Sequence, residues 1–267
     1  MQPRTLPLPD GGSLAYAVTG SGPPLLLVAG LSGAAAFWDP LVPALAERFR
    51  VVLHDHRGTG RSSRCRIDYG VGQMAADLLA LMDHLDIGRA DLVGHSTGGA
   101  IGQTLAIDHP DRIGRLVLSA TWPRACAYFR RMFEARKELL QLGGMASYRR
   151  HGTLFLYPPD WIAANDHALA EADRAAPIHP LDAEITARRI DAILRFDRFD
   201  DLGRIAAPTL VAVARDDAVT PPHHSYALAE RIPGATLKVE PHGGHFAPRV
   251  HPRAFLGTAL PFLEASR

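Results

Sequence analysis

Cysteine and long apolar runs are both scarce in this chain of 267 residues. Cys65 and Cys126 are its only cysteines, too few for the disulfide framework of a small secreted domain, so we expect two free thiols in a reducing compartment. The longest apolar run, around residues 25–31, is much shorter than a membrane-spanning helix. The N-terminal residues lack the basic stretch and apolar core of a signal peptide. We therefore expect a cytoplasmic protein that does not bind a membrane.

An excess of charge of either sign is also missing. The 29 lysine and arginine residues nearly balance the 28 aspartate and glutamate residues, for a net charge of +1, so electrostatics give no reason to expect a nucleic acid or an anionic membrane as partner. Only Lys137 and Lys238 are lysines, which we attribute to a GC-rich genome. Hydrophobic residues make up 47% and charged residues 21% of the chain, the proportions of a globular enzyme. We expect a monomer or homodimer that binds a small-molecule substrate.

The sequence does contain a regular alternation of short apolar strands and helices of amphipathic spacing. The predicted strands are residues 5–8 and 14–18, which form a hairpin, and then 25–29, 51–54, 92–93, 116–119, 209–213 and 236–239. The predicted helices are residues 37–48, 73–85, 97–108, 225–231 and 253–263. This alternation predicts an α/β fold with a mostly parallel sheet covered by helices on both faces.

The alternation stops between residues 123 and 202. This stretch has apolar residues at helical spacing but no convincing strand. We interpret residues 123–202 as a helical lid inserted into a core formed by residues 1–122 and 203–267. Such a lid would lie over the carboxyl edge of the strands, where open α/β sheets bind ligands.

A nucleophilic serine is predicted at Ser96, in the run Gly94-His95-Ser96-Thr97-Gly98 between a predicted strand and a predicted helix. This is the G-x-S-x-G pattern of a nucleophile elbow, whose strained turn needs small residues two positions away on each side. The pattern can also be an ordinary Gly/Ser-rich turn, but the strand–turn–helix context favours a nucleophile. The Thr97 N–H, at the start of the helix, would then point at the developing oxyanion.

A base and an acid are expected to follow the serine along the chain. Among 13 histidines, His245 is the candidate base, because it lies in a glycine-rich loop just after the last predicted strand. Asp216 and Asp217 both follow the strand predicted at residues 209–213. We expect Asp217, which precedes Ala218-Val219-Thr220-Pro221, to be the acid and keep Asp216 as the alternative.

Two pairs of histidines raise the question of a metal. His54 and His56 lie close together in the sequence, and so do His223 and His224. No set of carboxylates and histidines with ligand spacing accompanies either pair. We therefore interpret these histidines as structural or solvated, and we expect no metal and no cofactor.

The motifs together resemble those of the α/β-hydrolase superfamily along the whole chain. The matching segments are Gly30-Leu31, Asp55-His56-Arg57-Gly58-Thr59-Gly60-Arg61-Ser62, Gly94-His95-Ser96-Thr97-Gly98-Gly99, Asp217 to Pro221 and Gly244-His245. The resemblance implies an α/β-hydrolase fold with an inserted lid and a Ser96–Asp217–His245 triad that performs acyl transfer. The second oxyanion donor is expected at the Leu31 N–H. Many members have His-Gly where this chain has Ala29-Gly30, which keeps the main-chain donor but changes the side chain beside it.

Two groups within the superfamily are the most similar. Residues 154–161, with Trp122 and residues 136–140, resemble the aminoacrylate hydrolases of pyrimidine breakdown, and residues 217–222 are similar to the 3-oxoadipate enol-lactonases. The first match is longer and rarer, and we favour it. Both groups act on small carboxylate-bearing substrates. The resemblance implies a serine hydrolase that cleaves a small ester, a lactone or a C–N bond of an enamine or amide. A lactonase of the second group or a general carboxylesterase is the alternative.

The lid is expected to supply contacts to the substrate. Arg130 or Arg131 could pair with a substrate carboxylate, although a solvated charge is the commoner role of such arginines. Four aromatic residues could either line an apolar pocket or pack the lid against the core. They are Trp122, Phe129, Phe155 and Trp161.

Other functions are compatible with the same motifs. A ligand receptor or an inactive scaffold can share the fold, since fold alone does not determine function. C–C bond hydrolases, cofactor-free perhydrolases and amidases use the same triad. A haloalkane dehalogenase is disfavoured, because it needs a carboxylate in place of Ser96. A dinucleotide-binding enzyme is disfavoured because Gly58-Thr59-Gly60-Arg61-Ser62-Ser63 lacks the third glycine of G-x-G-x-x-G.

Overall fold

A computed structural model describes residues 3–175 and 181–265. An eight-stranded sheet forms its centre, in the spatial order β1-β2-β4-β3-β5-β6-β7-β8. The strands are β1 (Arg4–Pro7), β2 (Ser13–Thr19), β3 (Pro24–Val28), β4 (Arg50–His54), β5 (Ala90–His95), β6 (Ile113–Ser119), β7 (Thr209–Ala214) and β8 (Thr236–Glu240). β1 pairs antiparallel with β2, and β2 with β4, whereas the other neighbouring strands are parallel. The sheet is thus mostly parallel, as the alternation predicts.

The described residues form ten α-helices and three short 3-10 turns. The helices are α1 (Val42–Ala46), α2 (Val71–His84), α3 (Thr97–Asp108), α4 (Ala127–Leu156), α5 (Pro159–Ala164), α6 (Asp166–Arg174), α7 (Ala183–Arg195), α8 (His223–Arg231), α9 (Ala247–Val250) and α10 (Pro252–Glu264). The 3-10 turns are Ala35–Trp38, Pro110–Arg112 and Phe199–Arg204. In the part of the chain that the structure describes, none of these helices has both the length and the apolar character needed to cross a membrane.

Apolar side chains cover both faces of the sheet. In β3, Leu25 and Leu27 face one side while Leu26 and Val28 face the other, because successive strand residues point to opposite faces. The first pair packs with α1 and α10, and the second pair packs with α2 and α3. Burying one such side chain contributes about 1.5–3 kcal/mol. The sheet is therefore a rigid layer between two layers of helices, and its loops are positioned by that packing.

The prediction of one continuous helix over residues 37–48 is wrong. The structure has a 3-10 turn at Ala35–Trp38 and then the five-residue helix α1. Two prolines explain the division, since Pro40 and Pro43 have no N–H to donate within a continuous helix. Pro43 is tolerated because it lies in the first turn of α1.

The segment between β6 and β7, residues 120–208, is called the insertion below. Its described residues form α4 to α7, one 3-10 turn and a single antiparallel bridge between Arg124 and Asp197. The helix α4 breaks at Gly144, whose φ of +67° lies outside the helical range. The stretch predicted as a lid, residues 123–202, falls inside this insertion.

Folding stability is expected to depend on pH through the buried His54. This residue ends β4, is 3% exposed and stacks on His56 at a ring distance of 5.0 Å. Burial disfavours the charged imidazole and lowers the pKa of His54 from 6.5 to about 4, and the neighbouring Asp55 offsets only part of this effect. The unfolded chain takes up the proton at a higher pH than the folded chain. The contribution of neutral His54 to folding stability is therefore complete above pH 6.5 and is lost as the pH falls towards 4.

We predict that His54→Gln removes part of this pH dependence. The pKa shift corresponds to about 3 kcal/mol of unfolding free energy. Between neutral and acid pH, the unfolding free energy of the variant should therefore fall by roughly that much less than that of the wild type. Urea unfolding at the two pH values measures the difference. His109→Gln, at an exposed position, serves as the matched control and should behave as the wild type does. An unchanged pH dependence in His54→Gln would contradict the prediction.

Candidate active site

Ser96 lies at the carboxyl edge of the sheet, in the turn between β5 and α3. Its φ of +54° and ψ of −117° are unusual for a residue other than glycine, at a cost of about 1–3 kcal/mol. The Ser96 N–H donates to the Ser119 carbonyl at 2.8 Å, and the Thr121 hydroxyl donates to the Ser96 carbonyl at 2.8 Å. These contacts with β6 and the residues after it hold the turn in the geometry of a nucleophile elbow.

Two glycines make this turn possible, because backbone closes tightly around them. A Cβ on Gly94 would lie 2.3 Å from the carbonyl oxygen of Gly98, and a Cβ on Gly98 would lie 2.0 Å from that of Val28. Both distances are far below van der Waals contact, and both obstacles are backbone atoms. Glycine at each position is therefore a steric requirement of packing α3 against β3 and β5.

His245 lies in the loop after β8 and is 2% exposed. Its Nδ1 is 2.9 Å from Oδ2 and 3.1 Å from Oδ1 of Asp217. The buried Asp217 carboxylate also accepts hydrogen bonds from the Val219 N–H at 2.8 Å and from the Thr220 N–H and hydroxyl at 2.9 Å each. These donors fix the carboxylate so that it can accept a hydrogen bond from a His245 Nδ1–H. In that tautomer Nε2 is the nitrogen that can act as a base.

Asp216, the alternative acid, contacts a different part of the site. Its carboxylate accepts hydrogen bonds from the Gly244 N–H at 2.9 Å and the Gly243 N–H at 3.3 Å, and it lies 2.7 Å from His242 Nδ1. Asp216 thus anchors the loop that carries His245, whereas Asp217 contacts the imidazole itself. The structure places Asp217, and not Asp216, at the histidine.

A second histidine, His95, lines the same cavity as Ser96. His95 is fully buried, stacks on Phe37 at a ring distance of 4.5 Å and lies 4.8 Å from the His245 ring. Burial, with a smaller contribution from His245, holds the pKa of His95 well below 6.5. His95 therefore brings no charge to His245, whose hydrogen-bond partner is the Asp217 carboxylate.

The loop after β3 brings Leu31 to the same edge of the sheet. The Gly33 N–H donates to the Gly30 carbonyl at 2.9 Å, and a Cβ on Gly30 would lie 3.2 Å from the Ser96 Cβ, so this turn lies directly against the serine. Arg189 donates to the Leu31 carbonyl from Nη2 at 2.9 Å and from Nε at 3.2 Å. The loop is therefore held from the insertion side by a buried guanidinium.

The other expected oxyanion donor, Thr97, is buried and begins α3 directly after Ser96. The first N–H groups of a helix have no acceptor within the helix, and they form the positive end of its dipole. Leu31 and Thr97 thus both belong to backbone that lies beside Ser96.

The motif of residues 55–62 supports the Leu31 loop. One carboxylate oxygen of Asp55 accepts a hydrogen bond from the Ala35 N–H at 2.8 Å, and the His56 N–H donates to the Gly33 carbonyl at 2.8 Å. The conformations of the two loops after β3 and β4 therefore depend on each other.

Ser96, His245 and Leu31 line one cavity of about 350 Å³ between the sheet edge and the insertion. This volume is in the range of a site for a small organic molecule. The cavity wall combines apolar, aromatic and charged side chains. They include Phe37, Phe133, Arg136, Tyr148, Leu156, Tyr157, Leu169, Asp173, Thr186, Arg189, Val219 and Phe246.

The four aromatic residues of the insertion that were considered for the pocket do not line this cavity. Trp122 and Phe129 are fully buried and pack against each other at a ring distance of 4.6 Å. Phe155 is partly buried against the same core. Trp161 stacks at 4.2 Å on Tyr157, and only Tyr157 reaches the cavity. These four residues therefore pack against other side chains, and the prediction that they line the pocket is corrected.

Arg130 and Arg131 are also outside the cavity, since both are exposed on α4. Arg136, on the same helix, is 6% exposed and lines the cavity. It follows Phe133 by three positions and Phe129 by seven, so it shares the buried face of those two residues. This helical spacing is the signal that identifies Arg136 in place of its exposed neighbours.

Arg136 and Arg189 place two buried positive charges in the cavity wall. Burial lowers the pKa of Arg189 to about 10, which leaves the guanidinium charged at neutral pH. The Arg136 Nε is buried without a hydrogen-bond partner among the described residues, and its guanidinium lies over the Tyr148 ring at 4.8 Å. Within residues 3–175 and 181–265, neither guanidinium forms an ion pair with a carboxylate. The cavity is therefore suited to an anionic ligand.

One group of possible metal ligands occurs in the described part of the chain. Cys126, His223 and His224 have ligand atoms within 4.8 Å of one another. None of the three lines the cavity.

A family model described as the alpha/beta hydrolase fold matches residues 23–252, which include Ser96, Asp217 and His245. The chain belongs to this α/β-hydrolase family. The predicted fold class is confirmed, since the mostly parallel eight-stranded sheet with its helices is the architecture of this family.

Two relatives of this hydrolase are bacterial proteins named as the carbamate hydrolase RutD. The protein of Caulobacter sp. (strain K31) is 44% identical over 242 residues, which are 90% of each chain. That of Azorhizobium caulinodans is 40% identical over 259 residues, which are 96% of this chain and 98% of its own.

Solved structures show the same fold along nearly the whole length of the hydrolase. A hydrolase from Pseudomonas aeruginosa PA01 has a TM-score of 0.89 at 32% identity and covers 99% of both chains. The enol-lactonase from Burkholderia xenovorans LB400 has a TM-score of 0.88 at 29% identity and covers 97% of this chain and 99% of its own. These matches confirm an α/β hydrolase that resembles the two groups identified from the sequence.

We predict that Gly98→Ala destabilises the hydrolase because its methyl group would meet the Val28 carbonyl. Overpacking of this kind costs about 1–3 kcal/mol or more, which urea unfolding measures. The matched control is Gly257→Ala in α10, where a Cβ would meet nothing within 4 Å. Alanine there should raise the unfolding free energy by about 0.5–1 kcal/mol. A Gly98→Ala variant as stable as the wild type would contradict the tight packing around the elbow.

Proposed function

We propose that this hydrolase is a serine hydrolase that cleaves a small, carboxylate-bearing ester, lactone or C–N substrate through an acyl-enzyme on Ser96. One observation carries the proposal: His245 is bound through Nδ1 to the buried Asp217 and lines the same cavity as Ser96. A receptor or a scaffold has no need for an oriented imidazole in the same cavity as a strained serine.

For an ester, a lactone or an amide, the reaction proceeds by acyl transfer. His245 Nε2 takes the proton of the Ser96 hydroxyl as Ser96 Oγ attacks the substrate carbonyl carbon. Asp217 stabilises the imidazolium that forms and keeps its Nδ1–H in place. His245 then gives the proton to the leaving oxygen or nitrogen. A water molecule, deprotonated by His245, attacks the acyl-enzyme, and His245 returns the proton to Ser96 Oγ as the acid is released.

The oxyanion of each tetrahedral intermediate is stabilised by main-chain N–H groups of Leu31 and Thr97. Both belong to backbone beside Ser96 that is held by contacts within the protein, so little reorganisation is needed during the reaction. The Arg189 bonds to the Leu31 carbonyl contribute to that rigidity.

The substrate is expected to be small and anionic. The cavity measures about 350 Å³, and Arg136 and Arg189 leave positive charge in its wall. Relatives support the same class, since two are named as carbamate hydrolases and one neighbour as an enol-lactonase. In this proposal the insertion acts as the lid, because α4, α6 and α7 supply much of the cavity wall. The two free thiols favour a cytoplasmic location.

Turnover of a panel of substrates by the wild type and by Ser96→Ala tests the proposal. The panel contains an enol-lactone, an enamine acid, an amide acid, a short p-nitrophenyl ester and a long-chain ester. We expect the small acids to be preferred, and Ser96→Ala to lose about 10⁶ in kcat. Equal turnover by the wild type and Ser96→Ala would overturn the nucleophile, and a preference for the long-chain ester would overturn the substrate class.

The two adjacent aspartates provide a matched pair of variants. We predict that Asp217→Asn lowers kcat by about 10⁴, because an amide stabilises the wrong histidine tautomer. Asp216→Asn should lose at most roughly 10², the scale of a small displacement of the His245 loop. Steady-state kinetics on one good substrate measures both. If Asp216→Asn had the larger loss, Asp217 would not be the acid.

The role of Arg136 is tested by comparing charged and neutral substrates. We predict that Arg136→Met lowers kcat/KM for a carboxylate-bearing substrate by about 10–150-fold, which corresponds to losing one hydrogen bond to a charged group. The neutral p-nitrophenyl ester should change far less. Arg130→Met, on the exposed face of the same helix, is the control and should leave both values unchanged. Equal losses for the charged and the neutral substrate would contradict a carboxylate contact.

A further inference from the structure

Three side chains that the proposed reaction does not use meet at the junction of α4 and α8. Cys126 directly precedes α4, and His223 and His224 are the first two residues of α8. The Cys126 Sγ lies 3.5 Å from Nε2 of His223 and 3.5 Å from Nε2 of His224. All three ligand atoms lie within 4.8 Å of one another. A thiol and two imidazoles thus converge on one point from two separate segments of the chain.

We propose that Cys126, His223 and His224 form a binding site for a Zn²⁺ ion. Thiolate and imidazole are the ligands that zinc prefers. With Zn–S and Zn–N bonds of about 2.3 and 2.0 Å, tetrahedral coordination places sulfur and nitrogen about 3.5 Å apart. The two distances from Cys126 Sγ to the imidazoles match this separation.

Hydrogen bonding alone explains the arrangement less well. A thiol is a weak donor and a weak acceptor, so the hydrogen bonds that it can form with the two imidazoles are both weak. A zinc ion takes the thiolate and one lone pair from each ring, and binding releases the thiol proton to solvent. One ion therefore satisfies all three groups together.

The surroundings fit a site that is fixed on one side and open on the other. His224 is 3% exposed and packs edge-on against Phe129 at a ring distance of 6.0 Å. His223 is exposed and Cys126 is partly buried, so an ion can enter from solvent. Three protein ligands leave a fourth position for water, as zinc sites with an open position do.

The ion would join two parts of the molecule that are distant in sequence. Cys126 and His223 are 97 positions apart, and α8 follows directly after the loop that holds Asp217. The first turn of α4 already contacts that loop, because the Tyr128 hydroxyl donates to the Ala218 carbonyl at 2.6 Å. Zinc would therefore fasten the start of the insertion to the loop of the proposed catalytic acid.

Metal titration of the full-length, chelator-treated protein tests the site. Co²⁺ is added first, because a thiolate-bound, tetrahedral Co²⁺ gives a sulfur-to-metal charge-transfer band, and Zn²⁺ is then used to displace it. We expect one equivalent to bind the wild type and zinc to raise its thermal unfolding midpoint. Cys126→Ser and His223→Asn should each weaken binding by more than the roughly 10–100-fold that losing a supporting contact of a ligand costs.

Cys65→Ser, which removes the other free thiol, is the matched control and should bind as the wild type does. His223 is exposed, so His223→Asn keeps the test valid even if Cys126→Ser is poorly folded. The proposal is overturned if the wild type gives no charge-transfer band and no stoichiometric binding. It is equally overturned if Cys126→Ser and His223→Asn bind the metal as tightly as the wild type, since the ligands would then lie elsewhere.

Discussion

Ser96 has a left-handed backbone conformation, with a φ of +54°. The glycines on either side of it are in close contact with backbone atoms of α3 and β3. Such a conformation persists only where the surrounding structure enforces it. Here the enforcement comes from the start of α3, which packs so closely against β3 and β5 that Gly94 and Gly98 have no room for a Cβ. The rest of the site depends on this constraint. The start of α3 and the Leu31 loop both lie against this serine, and His245 lines the same cavity.

The residues nearest the proposed chemistry could be predicted from the sequence because each has a strong local signal. Ser96 has an elbow motif between a strand and a helix, and His245 follows a strand in a glycine-rich loop. The choice between Asp216 and Asp217 could not be made with certainty, since a shift of one residue in a loop reverses which side chain faces the site. The hydrogen bonds settle the placement, because one carboxylate holds the imidazole and the other holds its loop.

Features that depend on packing partners were harder to predict. Apolar spacing indicates that Trp122 and Phe129 are buried, but it does not say whether they face a cavity or the core. Adjacent arginines such as Arg130 and Arg131 suggest an anion site in the sequence, but both are exposed. Arg136 can be identified only from its helical spacing to buried apolar residues. Likewise, no sequence spacing connects Cys126 with the histidines of α8, since the fold alone brings them together.

Covalent capture of the nucleophile tests the central claim most directly. The wild type is incubated with a p-nitrophenyl phosphonate. An activated serine attacks the phosphorus and displaces p-nitrophenolate, which leaves a stable tetrahedral adduct on the serine. Intact-mass and peptide analysis should find one phosphonyl group per chain, on Ser96, and the Ser96→Ala variant should remain unmodified. An adduct on another residue, or none on an enzyme that turns over its substrate, would contradict the account.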